Sequence, residues 1–431
     1  MTSRKLIPVL LIACACSDLT NVDAPDLVQR GGLSNANGAV TFFNGAVSSF
    51  YSVFGTSASY SASGPFLTNS GLLADELIAT STFSGLNELD RHLLPETSGS
   101  QGTYFFLQVA RSNQVQAIAV LKQALPSQRW RIGQLYGFLG YVETFLAEVM
   151  CSGVPLSTVN SDFTPQYGAP LTTTQLLEQA VKSFDSALVY STDSVRILSL
   201  ARVGKARALL NLDKPTEAAA AVAGVLTAFS FITEHSVTVQ PNNAAMFILG
   251  GRYTIADGKG TNGLNYRTAN DQRINAVLVG NGTDGTPVYR PSRLASAASP
   301  NILANGIEAR LVEAEAALRA GDATTWLAKL NDLRANATTP AMTPLVDPVN
   351  AAARVDLQFR ERAIWLFLTG HRFGDMRRLV RQYGRGVNTV FPTGPYKFGG
   401  NFGTDIQLPI DVAEVSNNPL MAGKACIDRN P

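Results

Sequence analysis

His371 and Asp375 stand four residues apart with Arg372 between them, a spacing that places imidazole and carboxylate on one helical face. Such a trio can be read as a catalytic cluster. The better reading is a polar network that pins a helix to its scaffold. The chain has three histidines, and the other two, His92 and His235, lie in unrelated contexts. No His-x-x-x-His or Cys-x-x-Cys pair occurs, so no metal and no cofactor are expected. No Gly-x-Ser-x-Gly elbow and no phosphate loop is present either. A glycosidase needs two carboxylates flanking a sugar. The acidic pairs near aromatic loops are Asp75-Glu76 and Glu88/Asp90. Asp75 and Glu76 are adjacent on an expected helix and so point in different directions. The chain therefore reads as a binder rather than an enzyme.

The loop aromatics point to the binding chemistry. A flat ring against the apolar face of a sugar, with Asn and Arg bonding the hydroxyls, makes a site for a neutral ligand. Tyr60, Phe66, Phe83, Asn87, Tyr104, Tyr253, Tyr266, Arg267 and Tyr289 fall in predicted loops and are the candidates. Taken singly, a loop aromatic is more often an anchor for its loop. Trp130, Trp326 and Trp365 lie on apolar helical faces and are expected in the core.

The elements that must position these residues are mainly helices. Ala39, Phe42, Phe43, Ala46, Val47, Phe50, Tyr51 and Phe54 recur at steps of three and four, with Asn37 and Gly38 before them and Gly55 after. Further helices are predicted over 72–80, 105–124, 130–149, 174–190, 195–212, 216–229 and 355–381. The stretch 201–221 alternates small and large residues as tetratricopeptide helix pairs do, and 309–333 repeats it more weakly. Between the copies lies a non-helical insert at 233–300, rich in Gly, Asn, Thr and Pro. Long irregular segments on a helical scaffold tend to carry function.

The N-terminus indicates export. Arg4 and Lys5 precede the apolar run 6–13, and Cys14-Ala15-Cys16 follows. That pattern is a signal peptide ending at a lipoprotein cysteine. Leu11-Ile12-Ala13 makes the better processing box for Cys14, whereas Cys16 leaves an acidic mature start. Several acyl chains on one residue supply the double anchor that stable membrane attachment requires. Residues 1–16 are thus signal and anchor, 17–36 a tether, and 37–431 a single domain containing the insert. The formal charge is +2, and Arg4 and Lys5 account for both units. A near-neutral mature chain argues against nucleic acid as partner. Cys151 and Cys426 remain in the body, where a disulfide and two free thiols are equally open readings.

Several segments resemble the SusD/RagB family of outer-membrane nutrient-binding lipoproteins. The strongest is Arg360-Glu361-Arg362 followed by Gly370-His371-Arg372-Phe373-Gly374-Asp375-Met376-Arg377-Arg378. Gly153-Val154-Pro155-Leu156, the helix opening at Arg310, Leu408-Pro409-Ile410 with Asn417-Asn418-Pro419, and the start Cys16-Ser17-Asp18-Leu19 add to it. The resemblance favours Cys16 as the anchor. It implies a SusD-like α-α superhelix, in which tetratricopeptide-like pairs support a loop-rich ligand-binding half. It also implies a lipid-anchored position on the cell surface. The implied role is capture of a glycan or other nutrient for a SusC-like TonB-dependent barrel, over which the lipoprotein forms a lid. A different class of function, a tetratricopeptide-like scaffold binding protein partners in the periplasm, also fits the helix pairs.

Overall fold

The computed structural model describes residues 35–55, 66–94, 101–160, 164–238 and 251–430. Cys14, Cys16 and Tyr60 lie outside the described residues, as does nearly all of the tether.

The first helix, α1 (Ala36–Tyr51), begins where the Asn35 side chain accepts from Gly38 N. Helix α2 (Phe66–Leu73) is buried along its whole length. It ends well before residue 80, because Leu77–Ala79 forms a strand, β1, instead of the predicted helix. Asp75 and Glu76 thus sit in a turn rather than on a helix. Helices α3 (Ser84–Arg91), α4 (Gln101–Ala124) and α5 (Arg129–Val149) follow.

Two small antiparallel pairs come next. Strand β2 (Val154–Pro155) pairs with β5 (Pro170–Leu171), and β3 (Thr158–Val159) pairs with β4 (Pro165–Gln166). Helix α6 (Thr173–Tyr190) opens with a full capping box between Thr172 and Gln175. Helices α7 (Val195–Asn211) and α8 (Pro215–Val222) form the first expected helix pair. The second member is shorter than predicted and stops at Val222, where Gly224 follows.

The irregular half carries β6 (Ser230–Thr233), β7 (Tyr253–Ile255), β8 (Ala276–Asn281), β9 (Pro287–Pro291) and β10 (Asn301–Asn305). Here β7 pairs with β1, β8 with β9, and β10 with β6, all antiparallel. The later helices are α9 (Gly306–Arg319), α10 (Ala323–Asn336), α11 (Ala351–Trp365) and α12 (Arg372–Tyr383), then the short α13 (Val387–Val390) and α14 (Val412–Asn417).

The long helix predicted over 355–381 is two helices. The chain turns at Leu368 (φ 51°) and Gly370 (φ 77°), left-handed conformations that no α-helix can contain. A side chain at Gly370 would also run into the ring of Phe66.

Helix α5 is the centre of the core, buried almost throughout from Ile132 to Val149. Phe138 stacks on Phe50 of α1 at 4.1 Å, and Phe145 stacks on Phe66 of α2 at 4.3 Å. Phe184 of α6 meets Tyr141 edge-on at 5.2 Å. Gly140 and Gly204 leave room for that ring, since a Cβ on either would collide with it. This is the small-against-large packing the repeat pattern anticipated. Trp326 is fully buried, Trp365 is half-buried, and Trp130 departs from expectation at 36% exposed, capping Phe43 from outside.

Between the helices of the scaffold the core is in part ionic. Arg207 binds Glu148 (2.6 Å), and His371 Nε2 lies 2.9 Å from Glu308. Asp375 takes Arg362 and Arg378, each at 2.9 Å. Burial works against the Asp375 carboxylate, but those two guanidinium groups bring it down to about 2. His371 and Asp375 are therefore parts of the network that pins α12. Cys151 and Cys426 form a disulfide, which settles the open alternative and ties the C-terminal segment to the end of α5.

Candidate functional site

Phe83 sits immediately before α3 and is half exposed (50%). Its backbone carbonyl and that of Ser81 each accept from Asn87 Nδ2, at 3.0 and 2.8 Å. Asn87 Oδ1 in turn accepts from Tyr396 Oη at 3.0 Å. Tyr396 also reaches Asp90 Oδ2 at 3.1 Å, and Asp90 is paired with buried Lys259 at 2.7 Å. Burial, reinforced by the Asp90 carboxylate, pushes the Tyr396 phenol above its ordinary range.

Tyr396 opens a turn closed by its own amide to Gly400 O, with Gly399 and Gly400 at positive φ. The turn presents Lys397 and Phe398, and Phe398 is 55% exposed. Lys397 lies 4.7 Å above the Phe398 ring and binds Asp284 at 2.6 Å. Burial opposes ionisation of Asp284, yet Lys397 holds it below the usual carboxylate range. Asp284 belongs to the β8–β9 hairpin tip, whose Gly282 abuts Thr80 so closely that a Cβ there would clash. Arg252, just before β7, covers the Phe83 ring at 4.7 Å.

Three separate segments thus converge on one shelf: residues 81–91, the ends of the insert strands, and the 395–401 turn. It presents two half-exposed aromatic rings with Arg252 and Lys397 beside them, while the Asn87 amide is used to hold the shelf together. Such a surface can stack on pyranose rings and hydrogen-bond their hydroxyls. Among the described residues no group of His, Cys, Asp and Glu is arranged to hold a metal ion.

The sequence candidates divide. Phe83 and Asn87 lie on the shelf. Arg267 stacks over Tyr289 at 4.4 Å, and Tyr289 N donates to Thr254 Oγ1 of β7, so this pair flanks the same strand. Phe66, Tyr253 and Tyr266 are buried, each at 2% exposed or less. Tyr266 donates to Asp75 Oδ1 (3.1 Å) and leans on Phe367 at 4.8 Å. Tyr104 is 4% exposed and lies at the start of α4, in a different groove. Tyr60 is outside the described residues.

Sequence reasoning missed Arg252, Asp284, Tyr396, Lys397 and Phe398 as site residues. One signal was available: Tyr396-Lys397-Phe398-Gly399-Gly400 alternates ring and cation directly before a glycine pair that must turn.

Asp75 and Glu76 are engaged elsewhere, whereas Asp90 lies within the shelf, held by Tyr396 and Lys259. Asp75 is buried against Arg372, with Nε and Nη2 at 2.6 and 2.9 Å. Burial alone would raise Asp75, but Arg372 holds it low. Glu76 accepts from Leu368 N at 2.8 Å, and burial lifts it to about 8.

This architecture, helix pairs carrying an irregular half, defines a class of protein that is found among solved structures. A SusD-like carbohydrate-binding protein from Bacteroides vulgatus superposes with TM-score 0.64 at 11% identity, covering 90% of this chain and 97% of that one. A SusD superfamily protein from Parabacteroides distasonis gives TM-score 0.67 at 12% identity, covering 89% and 98%. Surface glycan-binding protein A from Bacteroides uniformis gives 0.63 at 11%, covering 88% and 98%. No family model and no curated protein matches the sequence itself. The chain has the SusD-like fold, mainly α, as the resemblance implied.

Proposed function

We propose that the protein is a lipid-anchored receptor on the outer face of an outer membrane, which captures an oligosaccharide and passes it to a SusC-like TonB-dependent barrel. The observation that carries this is the shelf, where Phe83 and Phe398 stand half exposed beside Arg252, Lys397 and Asn87. Two large, half-exposed aromatics brought together on hydrogen-bonded turns form an apolar surface that a ligand can cover. The fold supports the reading, because it is shared with proteins described as carbohydrate- and glycan-binding. Capture without turnover fits the acidic pairs, since Asp75 and Asp90 are both committed to buried cations. The N-terminal pattern supplies the anchor, through Cys14 or Cys16.

Calorimetric titration with a panel of neutral oligosaccharides tests the shelf. Phe83→Ala and Phe398→Ala should each weaken binding roughly tenfold while leaving thermal stability unchanged. A ligand bound equally well by wild type and the double variant would remove the shelf from the site. Repeated failure of a TonB-dependent barrel to co-purify from solubilised outer membranes would remove the partner.

A further inference from the structure

On another face, α4 and the C-terminal segment enclose a groove of about 920 Å³. Gly102, Phe105, Phe106, Val109 and Ser112 line it from α4, at the steps of three and four that keep residues on one helical stripe. The opposite walls are the β3–β4 hairpin, with Val159 and Tyr167, and the start of α14, with Val412. Phe105 is 53% exposed, Val159 42% and Val412 39%, which makes a continuous apolar floor open to solvent.

The charge in the groove is one-sided. Asp411 and Glu414 both line it. Asp411 Oδ1 caps α14 by accepting from Ala413 N. Glu414 Oε1 accepts from Ser157 Oγ and Asn418 Nδ2, at 3.2 and 2.9 Å. Both carboxylates line the groove, and these bonds engage one oxygen of each. Arg111, on the same helix, is 4% exposed and bonds Ser157 O and Gln108 Oε1. Tyr104 stands between these charges, and its phenol is pushed up first by burial and then by Glu414.

We propose that this groove is a second binding site, distinct from the shelf, for an extended peptide strand of a partner protein that carries apolar side chains next to Lys or Arg. The size fits. From Gly102 to Ser112 the helix rises about 15 Å, the length of four or five extended residues. The apolar floor takes the uncharged side chains, and Asp411 and Glu414 take the cation. A neutral sugar would leave the two carboxylates without an opposite charge, and an acidic strand would be repelled. The C-terminal wall is held in place by the disulfide between Cys151 and Cys426 and by the pairing of Leu408 with Met150.

The probe is an acetylated, amidated hexapeptide of sequence Gly-Lys-Phe-Lys-Leu-Gly, titrated calorimetrically into the full chain at low salt, beside its Glu-for-Lys counterpart and maltoheptaose. The basic peptide should bind and the other two should not bind in the groove. Phe105→Ala should weaken it at least roughly tenfold. Asp411→Asn combined with Glu414→Gln, which keeps the helix cap, should weaken it and abolish its salt dependence. Phe83→Ala should leave it unchanged, which separates this site from the glycan shelf. Equal binding of the acidic peptide, no binding of the basic one up to millimolar concentration, or displacement of it by maltoheptaose would each overturn the proposal.

Discussion

Replacing Arg372 with leucine should destabilise the protein by about 3–5 kcal/mol at neutral pH, the usual result of stranding one partner of a buried ion pair. Asp75 is 1% exposed and Arg372 7%. The carboxylate also accepts from Leu264 N at 3.0 Å and Tyr266 Oη at 3.1 Å, while Lys259, which feels its charge, is paired with Asp90 instead. At about 2.1 cal/mol/K per residue, a chain of this length has an unfolding entropy near 0.9 kcal/mol/K, so the melting temperature should fall by about 3–6 °C. The pH dependence is the sharper test. In the wild type the Asp75 pKa is depressed, so its contribution is present above the unfolded value of about 3.9 and is lost as pH falls through the folded value. In the variant, burial without a counter-charge raises the same pKa, so the penalty exists at pH 7 and fades as the group protonates. Both effects narrow the gap between the two proteins on acidification. Differential scanning calorimetry at pH 7 and pH 4 measures it. A melting temperature within a degree of wild type, or a gap that stays constant between the two pH values, would refute the reasoning. Adding Asp75→Asn to the Arg372→Leu background should recover a good part of the loss at pH 7.

Glu76 tests the opposite sign. Burial raises it to about 8, so the stability it contributes is present below its unfolded value and is lost as pH rises toward 8. Glu76→Gln keeps an acceptor for Leu368 N and should flatten stability between pH 5 and 8; denaturant midpoints across that range check it. Cys151→Ser together with Cys426→Ser opens a loop spanning 275 residues and should cost about 2–5 kcal/mol, read as a lower urea midpoint that reducing agent does not shift further.

Helices were the legible part of this chain because the signal for them is local. The positions of α1, α5, α6 and α7 follow from apolar residues every three or four places. The failures were local too. Leu77–Ala79 reads as a helix continuation, but its partner Tyr253–Ile255 lies far along the chain and makes it a strand. The break in 355–381 needed two left-handed residues, of which Gly370 was visible and Leu368 was not. Of the proposed shelf, Phe83 and Asn87 were among the sequence candidates, whereas the 395–401 turn was read as tail.

By itself, then, the sequence determined a mainly helical chain with small-against-large helix pairs and an irregular insert. It also carried the His371 segment, whose paired arginines and acids have to be satisfied somewhere. Tertiary structure alone decided which loop aromatics face water. Phe66 and Phe83 follow similar Ser- and Thr-containing stretches, yet Phe66 is sealed against Phe145 and Phe83 is left half exposed under Arg252. The physical reason is distance along the chain. Periodicity and capping act within a few residues, but burial is set by whichever element arrives from elsewhere. For Phe66 that element is α5; for Phe83 it is the guanidinium of Arg252, an insert residue.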